Sequence, residues 1–201
     1  MDEKNILEVN IIKTINVSQD VVRWNYWDHE HLDNVHSGYK RSDILYEKAN
    51  YVLRIDQVKI PLIPFLTAQT PLFMVQHSRE VSYTFAVQFG VVSKTTITVK
   101  EINSNECRVT MNYKFYLNGW RRILRPILKR LIPKWNEKIW LEDLPIKLRR
   151  QLVRNIGFKD FYGLPKDIKD RIMTEGNEVS LPLPRIKDSN RDKHPLKNIK
   201  N

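Results

Sequence analysis

From Lys40 to Leu117 the chain reads as strands, and this run limits what the whole can become. Cys107, Val109, Met111, Tyr113, Phe115 and Leu117 alternate with Arg108, Thr110, Asn112 and Lys114. A period of two puts the first set on one face of a strand and the second on the other. Ser78 to Phe89 alternates as clearly, with Val81, Tyr83, Phe85, Val87 and Phe89 on one face and Ser82, Thr84, Ala86 and Gln88 on the other. Ser42 to Glu47 and Tyr51 to Ile60 predict a hairpin about Lys48-Ala49-Asn50, and Thr95 to Glu101 continues the sheet to a turn at Asn103-Ser104-Asn105. Pro61, Pro64 and Pro71 predict a loop or an edge, because proline has no N–H to give a neighbouring strand. A sheet this one-sided keeps one face wet and packs the other on something.

The cover is the C-terminal third. Trp120 to Arg154 is rich in Leu, Ile, Arg and Lys at helical spacings, and Pro126, Pro133 and Pro145 must start, kink or break its segments. Gly157 is a stop, and Leu164-Pro165-Lys166-Asp167 opens a last short helix. At the other end Asn5 to Val17 predicts a first strand. Ser18 or Asp20 then caps a helix that buries Val21, Val22 and the tryptophans and stops at Asp33-Asn34 or Ser37-Gly38. Beyond Gly176 the composition turns to Asn, Asp, Lys and Pro and predicts disorder. The expectation is one α+β domain over residues 1–175 and a basic tail over 176–201.

Three of the five histidines fall within eight residues, in Trp24-Asn25-Tyr26-Trp27-Asp28-His29-Glu30-His31-Leu32-Asp33-Asn34-Val35-His36. Two neutral imidazoles and a carboxylate can cap one face of a divalent iron and leave positions open for substrate and oxygen. The spacing offers two such sets. On a continuous helix His29, Asp33 and His36, at i, i+4 and i+7, share a face. His31 and His36 diverge there, since five residues turn through about 140° net, so they converge only if the helix ends between them, for which Asp33-Asn34 supplies a reason. The plainer reading is that these histidines are satisfied by hydrogen bonds near a cavity mouth. His77 lies on a strand pattern and reads as a core-edge histidine; His194 falls in the tail.

A single cysteine, Cys107, excludes an intramolecular disulfide and any cysteine-based zinc or iron–sulfur site. There is no glycine-rich phosphate loop, nucleophile elbow or kinase-like set. The charged start, Met1-Asp2-Glu3-Lys4-Asn5, shows no signal-peptide pattern, and no apolar run approaches a membrane span, so the expectation is a cytoplasmic protein. The net charge of +11 is local: Trp120 to Lys138 holds seven cations against Glu137 alone, and Pro182 to Asn201 six against Asp188 and Asp192. From Trp120 to Trp135 apolar residues alternate with cations. That composition suits either an amphipathic helix with a solvated basic face or a membrane-peripheral helix setting Arg121, Arg122, Lys129 and Arg130 on anionic headgroups. No nucleic-acid-binding module accompanies the charge.

The order strand, short helices, long antiparallel run, long helix resembles the helix-grip domains (Bet v 1-like, START or SRPBCC) over about residues 5–157. The resemblance implies a curved sheet wrapped around the last helix and a hydrophobic ligand between them. Tyr83, Phe85, Phe89, Met111, Tyr113 and Phe115 would line that space if their face points inward. Asp28-x2-His31-x4-His36, with Asn25 and Trp27 beside it, resembles the iron motif of one branch, the catalytic domain of Rieske-type non-haem iron oxygenases. The resemblance implies Fe(2+) on His31 and His36 and an orienting Asp28 that links to the electron donor. Trp140-Leu141-Glu142-Asp143 looks like the element that supplies the third ligand, Asp143. A Rieske cluster needs two cysteines, so electrons would come from a separate electron-transfer protein. Two functions follow: an oxygenase-like enzyme acting on an aromatic, isoprenoid or lipid substrate, or a metal-free carrier of such a molecule.

Overall fold

The structure, a computed structural model, describes residues 3–48, 50–60 and 63–155. Seven strands form one antiparallel sheet: β1 (Ile6–Ile15), β2 (Tyr39–Lys48), β3 (Tyr51–Ile60), β4 (Ile63–Gln76), β5 (Val81–Gln88), β6 (Val91–Asn103) and β7 (Glu106–Tyr116). The order β1-β7-β6-β5-β4-β3-β2 makes β2 to β7 a simple meander, with β1 laid beside β7. Between β1 and β2 run α1 (Gln19–Trp27), a 3-10 turn (His29–His31) and α2 (Leu32–Val35). After β7 a 3-10 turn (Gly119–Leu124) leads into α3 (Arg125–Asn155), 31 residues lying across the sheet.

The period of two in β7 is realised directly: Cys107, Val109, Met111, Tyr113 and Phe115 are buried with Leu7 and Ile15 of β1, Val21 and Val22 of α1, and Trp140 of α3. Each fully buried aliphatic or aromatic side chain here contributes roughly 1.5–3 kcal/mol. The buried face of α3 is unusual. Asn136, Trp140, Asp143, Lys147 and Gln151 recur at helical spacing, and only Trp140 among them is apolar. An inward helix stripe is ordinarily hydrophobic, so each of these polar groups needs a partner. Asn136 donates to the Tyr113 hydroxyl at 2.7 Å. Gln151 accepts from the Ser18 backbone N–H at 2.7 Å and donates to Asn105 at 3.0 Å.

Several expectations are corrected. Pro61 lies outside the described residues; Pro64 and Pro71 mark an edge and not a loop, since β4 runs through them with its Pro71 half paired with β3 only and the β4–β5 ladder begins at Leu72↔Ala86. Pro71 therefore sits at a local edge, where a missing N–H costs no ladder bond. Pro126 lies in the first turn of α3, where backbone N–H groups have no intrahelical acceptor anyway, and Pro133 and Pro145 are contained within the continuous helix. The first helix stops at Trp27, well before Asp33-Asn34, which lies inside α2. Ser18 is the N-cap of α1 without its side chain making the capping bond.

In β5 the two faces are opposite to a simple reading of apolar-in. Ser82 is buried, and Ala86 packs on Val52, Leu72 and Met74 beneath the sheet. Phe85 is 40% exposed and Phe89 65% exposed, while Tyr83 lies under Lys94, whose Nζ is 4.4 Å from the ring centroid. Phe85 pairs across the outer face with Phe73, and Phe73 with Leu53. Of the expected pocket residues, Met111, Tyr113 and Phe115 face the core; Phe85 and Phe89 do not. Gly157, the helix at Leu164–Asp167, His194 and the tail 176–201 lie outside the described residues.

Candidate metal centre

The chain between α1 and β2 never forms a continuous helix, and this decides which histidines meet. Asp28 leaves helical geometry at ψ 87°, His31 is the N-cap of α2, and His36 turns extended at ψ 114° just after it. The rotation that would separate His31 from His36 on one helix is thereby undone, and their ring centroids lie 5.2 Å apart. Asp143, on the buried face of α3, places Oδ1 3.2 Å from Nε2 of His31 and 3.2 Å from Nε2 of His36. The three ligating atoms lie within 4.8 Å of one another.

The second set does not assemble. His29 is buried with Nδ1 accepting from Arg54 at 2.6 Å, and Arg54 pairs with Asp56 at 3.2 Å. Asp33 points to solvent beside Asn34. The i, i+4, i+7 face exists only on a continuous helix, and the backbone breaks that face twice.

What surrounds the triad fixes how its nitrogens are presented. Nδ1 of His31 donates to the Asp28 backbone carbonyl, and Nδ1 of His36 to Glu142 at 3.1 Å. With both Nδ1 atoms acting as donors, a neutral ring carries its lone pair on Nε2, aimed at Asp143. Glu142 is itself held by the Ser37 hydroxyl. The carboxylate of Asp28 is 3.8 Å from His31 and is paired with Arg150, which also donates to Asn25 at 3.0 Å and stacks on Trp24. Its backbone carbonyl, not its carboxylate, makes the direct bond to His31. The far oxygen of Asp143 takes the Lys147 ammonium at 3.0 Å, and Lys147 is wholly buried over the Tyr26 and Trp140 rings.

Oδ1 of Asp143 is buried and completes no hydrogen bond, although two ring nitrogens stand at 3.2 Å. Two imidazole lone pairs and a carboxylate oxygen repel one another unless a metal ion or a proton stands among them. First-row metals with bonds of about 2.1 Å and angles of about 90–110° set neighbouring donors roughly 3.0–3.4 Å apart, the separation found here between Oδ1 of Asp143 and each Nε2. The donor set, two imidazoles and one carboxylate, is that of open non-haem Fe(2+) sites. These residues fit a divalent metal.

The charges follow the same geometry. Burial raises the Asp143 pKa, but His31, His36 and Lys147 outweigh it and hold the carboxyl well below the usual range. Burial lowers the pKa of His36, and contact with Asp143 and Glu142 more than compensates, so the net direction is up. Burial also pulls Lys147 down, against the attraction of Asp143. The resemblance to the oxygenase motif pointed to His31, His36 and Asp143, but Glu142 as the partner of His36, and Lys147 and Arg150 as buried cations, were not foreseen. Their signal is Asp143-x3-Lys147, which on its own looks like a solvent-exposed i, i+4 pair.

No protein-family profile matches the sequence, and no curated protein matches it. Solved structures do. The Zhui aromatase/cyclase from Streptomyces sp. R1128 is similar over 75% of this chain and 96% of its own, at 12% identity and a TM-score of 0.57. A START superfamily protein from Mycobacterium smegmatis is similar over 71% and 97%, at 10% identity and TM-score 0.55. Human STARD10 is similar over 72% and 67%, at 13% identity and TM-score 0.53. The chain therefore has the helix-grip fold of the Bet v 1/START type. At these identities the likeness extends to the fold alone.

Proposed function

We propose that the protein holds one divalent metal, Fe(2+) by class, on His31, His36 and Asp143, and acts as an oxygenase-like enzyme on an apolar molecule held between the sheet and α3. The observation that carries this reading is the convergence of Nε2 of His31 and Nε2 of His36 on one buried carboxylate oxygen of Asp143, each at 3.2 Å. Bound iron would supply one-electron and dioxygen chemistry. The chain does the rest. The Asp28 carbonyl and Glu142 hold the rings in the ligating tautomer. Lys147 steadies the second carboxylate oxygen, and Met111, Tyr113, Phe115 and Trp140 give the interior an apolar wall. Electrons would come from a separate protein.

The test is metal analysis after anaerobic loading with ferrous iron. One iron per chain is expected, lost in His31→Ala/His36→Ala and in Asp143→Asn/Lys147→Met while circular dichroism stays native. Failure of the wild type to retain iron, manganese, cobalt or zinc would overturn the reading.

A second reading is the one the structural likenesses to START proteins favour, and it has a local support too: Lys147 already neutralises Asp143, so a single proton shared among the imidazoles would satisfy the cluster without metal. The protein would then be a metal-free binding module for a hydrophobic ligand. An apolar fluorescent probe that binds equally well to wild type and the double-histidine variant, together with no metal uptake, is the result it predicts.

A further inference from the structure

The strand registers bring four elements to one pole of the sheet. Ile6 pairs with Tyr116 and Tyr116 with Val92, so the start of β1, the end of β7 and the β5–β6 turn lie together. β4 runs antiparallel to β5, with Gln76 on Ser82 and Leu72 on Ala86, so its N-terminal half extends past that turn. The 3-10 turn before α3 leaves from the same end. At this pole Phe65 is 84%, Phe89 65%, Trp120 71% and Ile123 70% exposed.

Phe89 is held there against its backbone preference. It has φ +51° and is followed by Gly90 at +71°, the two left-handed positions of a two-residue hairpin turn. Asn-Gly suits such a turn, and a bulky side chain is rare there. The Arg121 guanidinium lies against the turn: a Cβ on Gly90 would fall 2.5 Å from its Nη2, and its Nε is 3.5 Å from the Phe89 carbonyl. Arg121 also sits 5.4 Å from the Trp120 ring, so Phe89 and Trp120 flank one cation.

Along the chain around Trp120 the charge has one sign. No Asp or Glu occurs between Glu106 and Glu137, while Arg121, Arg122, Arg125, Lys129 and Arg130 follow Trp120 closely. The arginines bond neutral oxygens: Arg122 reaches the Asn5 amide at 2.9 Å and Arg125 the Lys4 carbonyl at 2.7 Å. Among the described residues no carboxylate pairs with any of these five cations. Aromatic and aliphatic tips ringed by unneutralised cations match the boundary of an anionic bilayer, where acyl chains take the former and headgroup phosphates the latter.

We propose that this pole docks on the surface of an anionic membrane, with Phe89, Trp120 and Ile123 entering the acyl boundary and the five cations on the headgroups. The proposal is independent of the metal reading and stands or falls separately.

The test is flotation of the full chain with phosphatidylcholine vesicles, with and without phosphatidylglycerol. Binding is expected only with the anionic lipid. It should fall about tenfold or more in Phe89→Ser/Trp120→Ser/Ile123→Ser, because the apolar tips drive insertion. Phe89→Asn suits the turn better than Phe, cannot unfold it, and should weaken binding by itself. Trp120 emission should be quenched by brominated acyl chains, and this quenching should vanish in Trp120→Phe. Absence of flotation with anionic vesicles, or flotation unchanged in both apolar variants, would overturn the proposal. Unchanged flotation would mean contact through other cations, including those of 182–201. Capture by an acidic protein but not by vesicles would overturn it too.

Discussion

At Lys147 the long helix buries an ammonium group 3.0 Å from the Asp143 carboxylate, with aromatic rings on either side. Removing one partner of such a pair strands the other in a medium that cannot solvate it. Lys147→Met should therefore cost the metal-free protein about 3–5 kcal/mol, read from its urea midpoint. Lys147→Met/Asp143→Asn should recover most of that loss, since the two sites are in contact and cannot be additive. Glu142 acts one bond further out. Glu142→Ala frees Nδ1 of His36 from its acceptor and should weaken metal binding roughly 10–100-fold, measured by chelator competition, with the fold intact. Much at this scale was legible beforehand. The Asp28-x2-His31-x4-His36 spacing offered His31 and His36 beside a rival set, His29, Asp33 and His36, and only the resemblance to the oxygenase motif added Asp143. The Asp28 carbonyl in place of its carboxylate was not legible, because which oxygen reaches a ring depends on a backbone angle, here ψ 87°.

The elements divide in the same way. Apart from β4, the strands of the meander follow from period-two alternation and turn residues, and the structure places those turns close to where Lys48–Asn50 and Asn103–Asn105 put them. Alternation cannot tell which face turns inward, however. In β5 the smaller residues Ser82 and Ala86 face the interior and the aromatics face out, because Ala86 meets Val52, Leu72, Met74 and Trp27 beneath the sheet and the outer aromatics have cross-strand partners in Phe73 and Lys94. The polar inner stripe of α3 was equally hidden, since a helix carrying Asn136, Asp143, Lys147 and Gln151 on one face reads as solvated on that side. Trp140, alone among them, anchors that face in the main core. Trp140→Ala should cost about 3–5 kcal/mol, seen as a lowered urea midpoint with an unchanged slope.

For the whole molecule, burial of weak acids sets an alkaline limit. Cys107 is pushed from 9.0 up to about 11 by desolvation, and Tyr113 from 10.0 up to about 12. Between those values the unfolded chain releases protons that the native state keeps, so stability must fall as pH rises. Urea midpoints should decline from about pH 9 upward, and Cys107→Ala should lack the portion between 9 and about 11. The same burial should leave Cys107 unreactive to iodoacetamide at neutral pH until the protein is unfolded. At this scale too the central claim is geometric: a loop after the first helix and the middle of the last helix meet to hold one cation. Crystals loaded anaerobically with ferrous iron, measured at the iron absorption edge, test it most directly. The account predicts one anomalous peak at roughly 2.0–2.3 Å from Nε2 of His31, Nε2 of His36 and Oδ1 of Asp143. No peak at that point, with Asp143 bonded only to protonated imidazole and Lys147, would contradict it.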